Sequence, residues 1–237
     1  MAPAFRCVKE EMEQLLYNAF IKEDRWSWYI EGIGWTALLS LGAIAIGIII
    51  GAVVALVKYV NKKYEKLNVL AKICDVYLTI FRGTPVLVQL MIITMVILAA
   101  IAEPLSAIIT FGINSGAYVA EIIRGGLESV DDGQLEAGAS LGLSTRQVMW
   151  HIVLPQGLRR ALPSLFNEFI ALVKETSIVG TIGVVDITKV AERISGLTMD
   201  FFVPYLTSAV IYLIIVIGLT RLLKLLERRL AVSDRHA

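Results

Sequence analysis

The sequence predicts an all-α integral membrane protein. Five transmembrane helices are expected, with the N-terminus outside, the C-terminus cytoplasmic and a cytoplasmic loop of two short helices between spans three and four. Three observations carry that expectation. Of 237 residues, 57% are hydrophobic and 18% charged, whereas soluble domains sit near 45–50% and about 25%; the mean hydropathy is +0.71. The apolar residues come in long uninterrupted runs, and lysine and arginine gather at particular run ends. The same composition excludes a disordered chain, a disulfide scaffold and, at net charge +1, a nucleic-acid binder, because no bulk field draws a polyanion. Cys7 and Cys74 are far apart, lack metal-ligand spacing and read as inert thiols.

The clearest span is 33–57, which carries no charge. At about 1.5 Å per residue it exceeds the ~30 Å hydrocarbon core, leaving room for tilt. Residues 1–32 are polar and mixed in charge, which argues against a cleaved signal peptide. They form an external N-terminal segment in which 10–20 fits an interfacial helix. Ala43, Gly47, Gly51 and Ala55 recur every four residues along span one, a small-residue ridge for close helix approach; the alternative is the glycine enrichment common to membrane helices. Lys58, Lys62, Lys63, Lys66 and Lys72 follow at once and mark that end as cytoplasmic.

Span two covers 69–102 and is interrupted by Arg82-Gly83-Thr84-Pro85. Two spans here would put Arg124, Arg146, Arg159 and Arg160 outside, against the positive-inside bias. One span bent near Pro85, whose missing N–H accounts for the bend, keeps them inside; an interfacial helix followed by a span fits the same residues. Span three is 106–124, a cytoplasmic loop covers 127–160, and spans four and five are 161–182 and 204–222. Arg221, Lys224, Arg228 and Arg229 give the last span a cytoplasmic end. The transmembrane domain is thus 33–230, with 231–237 as a cytoplasmic tail. This arrangement satisfies every lysine and arginine cluster except Lys189 and Arg193, which lie in the outer connection, diluted by Asp186, Glu192 and Asp200.

Within the loop, Ser144 and Gln147 have the spacing of a capping box, and Gly142 suits the left-handed stop of a preceding helix. Two short helices with a sharp turn at Gly142 follow, the second expected to end before Pro155, since the residue preceding proline avoids helical geometry. Such a compact, projecting pair looks like a docking element for a soluble partner.

Glu136-Ala137, then Gly142, then nine residues and Ile152-Val153-Leu154-Pro155 resemble the EAA loop of ABC-importer permeases, whose pattern is Glu-Ala-Ala, three residues, Gly, nine residues, Ile-x-Leu-Pro. Gly138 stands where the family has alanine; both being small, close packing is expected to survive. FRGTPVLVQL (81–90), NSGAYVAEIIRGG (114–126), GQLEA (133–137), LPQ (154–156) and KETSIVG (174–180) resemble the polar amino-acid uptake branch, and the likeness covers about 30–230. The resemblance implies a five-helix permease subunit of an amino-acid importer in a bacterial or archaeal plasma membrane. It further implies a second permease subunit, identical or homologous, two cytoplasmic ATPase subunits and an external amino-acid-binding protein. Carried over, Glu136, Ala137, Gly138, Gly142 and Ile152 belong to the ATPase-coupling contact, with Leu154 and Pro155 bracing the loop against the membrane end.

Ionisable residues inside a span mark pathways by default, and span four holds Glu168, Lys174 and Glu175. Asn167 and Lys174 share one face, Glu168 and Glu175 the adjacent one, so a small zwitterion could meet both signs there. Alternatively Lys174 and Glu175 neutralise each other or snorkel at a helix end. Asn114, Tyr118 and Glu121 share a face of span three, beside a ridge of Gly112, Gly116 and Ala120. Asn114 is a candidate substrate hydrogen-bonder or a helix–helix hydrogen bond, and Glu121 with Arg124 reads as an ion pair. Arg82 and Thr84 either line or gate the path, or anchor the kink. No catalytic or metal constellation is visible: His151 and His236 lack partners at ligand spacing, and no phosphate-binding GxxxxGK[ST] loop occurs. The chain is therefore expected to be no enzyme and to need no cofactor, with ATP bound by another chain. Two alternatives use the same residues. One is a different nitrogenous solute such as an opine; the other is an ion-coupled secondary transporter with Glu168 or Glu175 as its proton site.

Overall fold

The longest apolar run forms the longest helix. In the computed structural model, which describes residue 10 and residues 13–234, α1 runs from Arg25 to Tyr64, beyond the predicted span at both ends. Its 40 residues measure roughly 60 Å, about twice the hydrocarbon thickness, so its polar ends extend past the core. Glu65 stops it in the left-handed region (φ 53°), its N–H bonded to the Asn61 carbonyl at 2.8 Å. At the other end Glu23 and Asp24, both at positive φ, turn α1 away from the short helical stretch Tyr17–Ile21. Of the expected interfacial helix, residues 13–20 are helical. Residues 1–9, 11 and 12 lie outside the described residues, as do Cys7 and His236.

α2 (Asn68–Gly83) and α3 (Val86–Ile92), the latter continuing as a π-helical turn at Ile93–Ile97, meet at Thr84–Pro85. The break falls where the proline suggested. The two pieces nevertheless meet at 108°, so a single kinked helix over 69–102 gives way to a sharply broken pair. Thr84 and Pro85 are both extended, and side chains described below take the place of the missing ladder.

α4 (Glu103–Glu128) is the central helix, with Ala107, Phe111, Ala117 and Val119 fully buried. It lies along α1. A Cβ on Gly51 would stand 2.5 Å from Val119 Cγ1, and one on Gly112 2.6 Å from Ile46 Cβ. The two small-residue ridges read from the sequence therefore face each other, where close backbone approach gives the van der Waals contact that holds helices together in lipid.

After α4 come α5 (Asp132–Ser140) and α6 (Thr145–Val148), a π-helical turn Met149–Val153 and α7 (Leu154–Glu175), which tightens into the 3-10 stretch Thr176–Ile182. The helix expected to stop before Pro155 does not stop: 145–175 is one continuous helical run. The π turn explains why. The Leu154 N–H bonds the Met149 carbonyl, and this wider winding gives room for the proline ring, which in a regular helix would press on the carbonyl four residues back. α8 (Ile187–Thr198) and α9 (Phe202–Asp234) complete the chain, α9 extending past the predicted end of span five.

All regular elements among the described residues are helical. Three are long and apolar enough to cross a membrane: α1 with its preceding turns, α4 and α9. The broken α2–α3 pair makes a fourth if it counts as one span. α7, carrying Glu168, Lys174 and Glu175, is not among them. One core cluster joins Leu39, Leu90, Phe111, Leu172 and Val179 of α1, α3, α4, α7 and the 3-10 stretch. A second joins Tyr59, Ile123 and Leu127 to Val148 and Val153, tying the loop to the long helices.

Where α4 meets α7 the backbones nearly touch. A Cβ on Gly126 would lie 2.5 Å from the Gly157 carbonyl oxygen, and one on Gly157 would lie 2.9 Å from Leu127 Cα, whereas Gly125 has nothing within 4 Å. Gly126→Ala should therefore destabilise the protein by about 1–3 kcal/mol, and Gly125→Ala should be near neutral. Thermal-unfolding midpoints of the detergent-solubilised variants check this; equal midpoints would mean that α4 and α7 separate without cost.

Candidate functional site

The loop helices are built by local chemistry. The Asp131 carboxylate caps α5 by accepting from the Gly133 N–H at 2.7 Å. Gly142 takes φ 79°, a conformation that costs glycine little, while the Leu143 N–H closes back on the Gly138 carbonyl at 3.1 Å. The capping box forms: the Gln147 N–H donates to Ser144 Oγ, and the Ser144 N–H to Gln147 Oε1. Gly138 is buried against α6, and a Cβ there would meet Val148 Cγ2 at 2.7 Å. Alanine, expected to fit equally well, would push on a β-branched side chain with little rotamer freedom. The departure from Glu-Ala-Ala thus has a local packing reason.

The seven loop residues divide by position. Gly138 is buried and Ile152 and Leu154 are half-buried in the frame; Gly142 makes the turn at the surface, and Glu136, Ala137 and Pro155 are exposed. Two large apolar side chains join the exposed face, Leu141 at 81% and Trp150 at 61% exposure. The motif pattern does not contain them; an unpaired tryptophan in a polar loop was the available signal. Glu136 has no ion-pair partner among the described residues.

The break between α2 and α3 is organised by Gln89, a residue the sequence reading passed over. Its Nε2 lies 2.9 Å from the Phe81 carbonyl oxygen, 3.0 Å from that of Thr84 and 2.8 Å from Thr84 Oγ1. The Thr84 hydroxyl donates to the Ile80 carbonyl at 2.8 Å. Asn114 Nδ2 donates to Gln89 Oε1 at 2.8 Å and to the Phe81 carbonyl at 3.1 Å. Both amides are buried. In this arrangement Asn114 and Thr84 hold the break, the anchoring alternative for each. A lone polar residue four positions after Pro85 in an apolar stretch was the signal for Gln89.

Beside the break, α1, α2 and α4 border an open cavity of about 680 Å³ lined by Lys58, Asp75, Arg82, Tyr118, Glu121 and Arg124 among others. The Arg82 guanidinium lies 5.6 Å from the centre of the Tyr118 ring and 3.9 Å from Glu121. Glu121 pairs with Arg124 at 2.6 Å, and Arg124 reaches Glu128 at 2.9 Å. Lys58 bonds Asp75 at 2.5 Å and Lys62 bonds Glu128 at 3.0 Å, so part of the lysine cluster is knitted to acids.

The charges of α7 lie on the opposite side of α4. Ser115 Oγ donates to Glu168 Oε1 at 2.8 Å, with Glu168 and Glu175 half-buried and Lys174 exposed. Lys174 and Glu175 form no ion pair among the described residues. The six path candidates thus fall into three places: Arg82 in the cavity, Thr84 and Asn114 in the break, and Glu168, Lys174 and Glu175 along α7.

A second residue, Asp186, expected only as a diluting charge, joins α8 to α9. It is fully buried and caps α8 by accepting from the N–H groups of Lys189 (2.9 Å) and Thr188 (3.1 Å), while the Tyr212 hydroxyl of α9 donates to it at 3.0 Å. Burial pushes its carboxyl pKa up, opposed by the backbone N–H groups and the tyrosine.

Residues 43–232 match the family of binding-protein-dependent transport system inner membrane components, and the chain belongs to that family of permease subunits, which are non-enzymatic transport components. It is 38% identical to the putative glutamine transport system permease protein of Rickettsia typhi over 86% of this chain and 93% of that one. It is 34% identical to the arginine transport system permease protein of Bacillus subtilis, with the same coverage. With the L-cystine transport system permease protein of B. subtilis it shares 35% identity over 91% of each chain. Among solved structures, an amino acid ABC transporter with histidines matches at TM-score 0.80 and 36% identity, covering 89% of this chain and 98% of that one. The MetNI methionine ABC transporter in an inward-facing form matches at TM-score 0.75 and 19% identity, over 88% and 98%, a likeness of fold alone.

The break makes a sharp prediction. Gln89→Leu takes the side-chain donor from the Thr84 carbonyl and the acceptor from one Asn114 N–H, while the Phe81 carbonyl keeps Asn114, at about 1–3 kcal/mol for each group stranded. Gln89→Leu and Asn114→Leu together should cost less than the sum of the two alone, because they strand the same partners. Unfolding midpoints of the three variants test this, and strict additivity would separate the two amides.

Proposed function

We propose that this chain is a permease subunit of an ATP-binding-cassette importer and forms half of a transmembrane path for an amino acid. The observation that carries the reading is the loop: a helix pair framed by Gly138 and Gly142 and footed on the Gly126–Gly157 crossing. It turns Glu136, Ala137, Leu141 and Trp150 outward, with nothing among the described residues to cover them. An exposed apolar face on a rigid base suits a groove on a soluble partner. That partner is a cytoplasmic ATPase, two per complex, which binds the ATP; the permease itself needs no cofactor.

In this reading five spans cross a bacterial or archaeal plasma membrane, the N-terminus outside and the C-terminus inside. The α2–α3 pair supplies one of them. α7 supplies another despite its charges, because Glu168 turns toward Ser115 rather than lipid. A second permease subunit, identical or homologous, completes the path, and an external binding protein delivers the cargo. The relatives named for glutamine, arginine and cystine have in common only the α-ammonium and α-carboxylate of their cargo. Charges of both signs, Lys174, Glu168 and Glu175 along α7 and Arg82 in the cavity, match such a zwitterion. Access alternates between the two sides as ATPase closure and reopening move the loop, so the membrane stays sealed.

Two experiments test this. Glu136→Lys and Gly142→Val, the latter straining a positive-φ turn, should each reduce ATPase recovered with the affinity-purified permease at least tenfold; undiminished recovery with both would remove the loop from the contact. Lys174→Ala should at least halve substrate-stimulated ATP hydrolysis in proteoliposomes. The same stimulation at every amino-acid concentration would take Lys174 out of the path.

A further inference from the structure

α7 and α9 leave a groove between them at the cytoplasmic end. Its volume is about 190 Å³, its walls include Leu162, Pro163 and Phe166 from α7 with Leu223 and Leu226 from α9, and Glu227 and Arg229 stand at its rim. Both walls run from apolar to cationic in the same direction. Along α9 the order is Leu223, Leu226, Arg229. Along α7, by helical register, Phe166 and Pro163 are followed on the same face by Arg159, seven and four residues away.

The cations of this part of α9 have no acidic partner among the described residues. Arg221, Lys224, Arg228 and Arg229 form no ion pair among the described residues, whereas Lys58, Lys62, Arg82 and Arg124 all do. Leu222, Leu225 and Leu226 on the same stretch are 47%, 56% and 39% exposed. Exposed leucines beside unpaired cations, at the end of a membrane span, match a molecule that is apolar along its length and anionic at one end. A soluble protein partner would leave the leucine-lined groove without a matching occupant.

We propose that the groove binds one anionic phospholipid of the cytoplasmic leaflet, an acyl chain between α7 and α9 and the headgroup phosphate at Arg229. Glu227 at the rim repels the anion from its own side and so directs it to Arg229. Cations gathered just cytoplasmic of a span are the recognised chemistry of anionic headgroups, and the groove adds a place for the chain. The site does not depend on which solute the protein carries.

The test uses the full-length chain, purified and stripped of lipid in detergent, and reads its unfolding midpoint and lipid retention by native mass spectrometry. Phosphatidylglycerol should raise the midpoint saturably, with one molecule retained, while phosphatidylcholine of the same chains and inorganic phosphate should not. Arg229→Gln should weaken phosphatidylglycerol binding about tenfold, and Arg228→Gln, outside the groove, should leave it within twofold. Leu162→Trp, which fills the groove and keeps the cations, should also abolish retention. An equal response to phosphatidylcholine would overturn the proposal, as would inorganic phosphate alone reproducing the shift. So would unchanged binding in Arg229→Gln, or a Leu162→Trp variant that keeps its lipid but loses a dimer by light scattering, since a second copy would then cover the groove.

Discussion

A helix cannot break inside hydrocarbon unless the carbonyls it releases find other donors, and the break at Thr84–Pro85 sets that condition for the middle of this molecule. Gln89 meets it from α3 and Asn114 from α4, and the two amides also satisfy each other. The geometry of α2, α3 and α4 follows. α3 must return close enough for Gln89 to reach Phe81 and Thr84, which forces a turn of more than a right angle. Asn114 must face the break, so the neighbouring Ser115, about 100° further round the helix, faces α7, where it holds Glu168. One pair of amides thereby orients both polar faces of the central helix.

Close helix packing meets the second demand. Lipid offers no hydrophobic gain when two apolar helices meet, so contact and hydrogen bonding must hold them. Gly51 and Gly112 bring α1 against α4 with no room for a methyl group. Gly126 and Gly157 do the same between α4 and α7. Elsewhere a buried Asp186, rather than a small residue, joins α8 to α9. α4 is common to the glycine contacts and to the amide pair, which explains why it is the most buried of the long helices.

Much of this was legible in the sequence because it is written as runs and short spacings. Ala43 to Ala55 and Gly112 to Ala120 announced a close contact, Ser144 and Gln147 a cap, Gly142 a left-handed turn. What escaped depends on partners distant in the chain. Gln89 is an ordinary polar residue until Pro85 has turned α3 back upon Phe81. Gly157 shows its purpose only opposite Gly126. Gly138 looked interchangeable with alanine because its size was judged without Val148 against it. The stop before Pro155 was misjudged for a different reason: local sequence predicts the proline's preference, whereas a π turn one residue earlier removes the clash. Asn114 was seen as polar in a span, but two roles with the same chemistry, binding a substrate or binding a backbone, are separated only by what lies within 3 Å.

The continuity of 145–175 bears on how such a loop acts at a distance. Had the chain stopped before Pro155, a flexible joint would separate the docking helices from α7, and a push on one would be absorbed there. Instead Val148 and Val153 are locked into the cluster that contains Ile123 and Leu127, and the helical run continues without interruption to Glu175. Displacing the loop therefore displaces the segment that carries Glu168, Lys174 and Glu175. The Gly126–Gly157 crossing lies between the two ends, where backbones in contact with no side chains between them make a natural pivot. The loop and the charged segment lie at comparable distances from it along the helical run, so a displacement of one becomes a displacement of similar size at the other. With a partner docked on the loop as proposed, the position of Glu168 against Ser115 would follow that partner, with no separate transmitting element required.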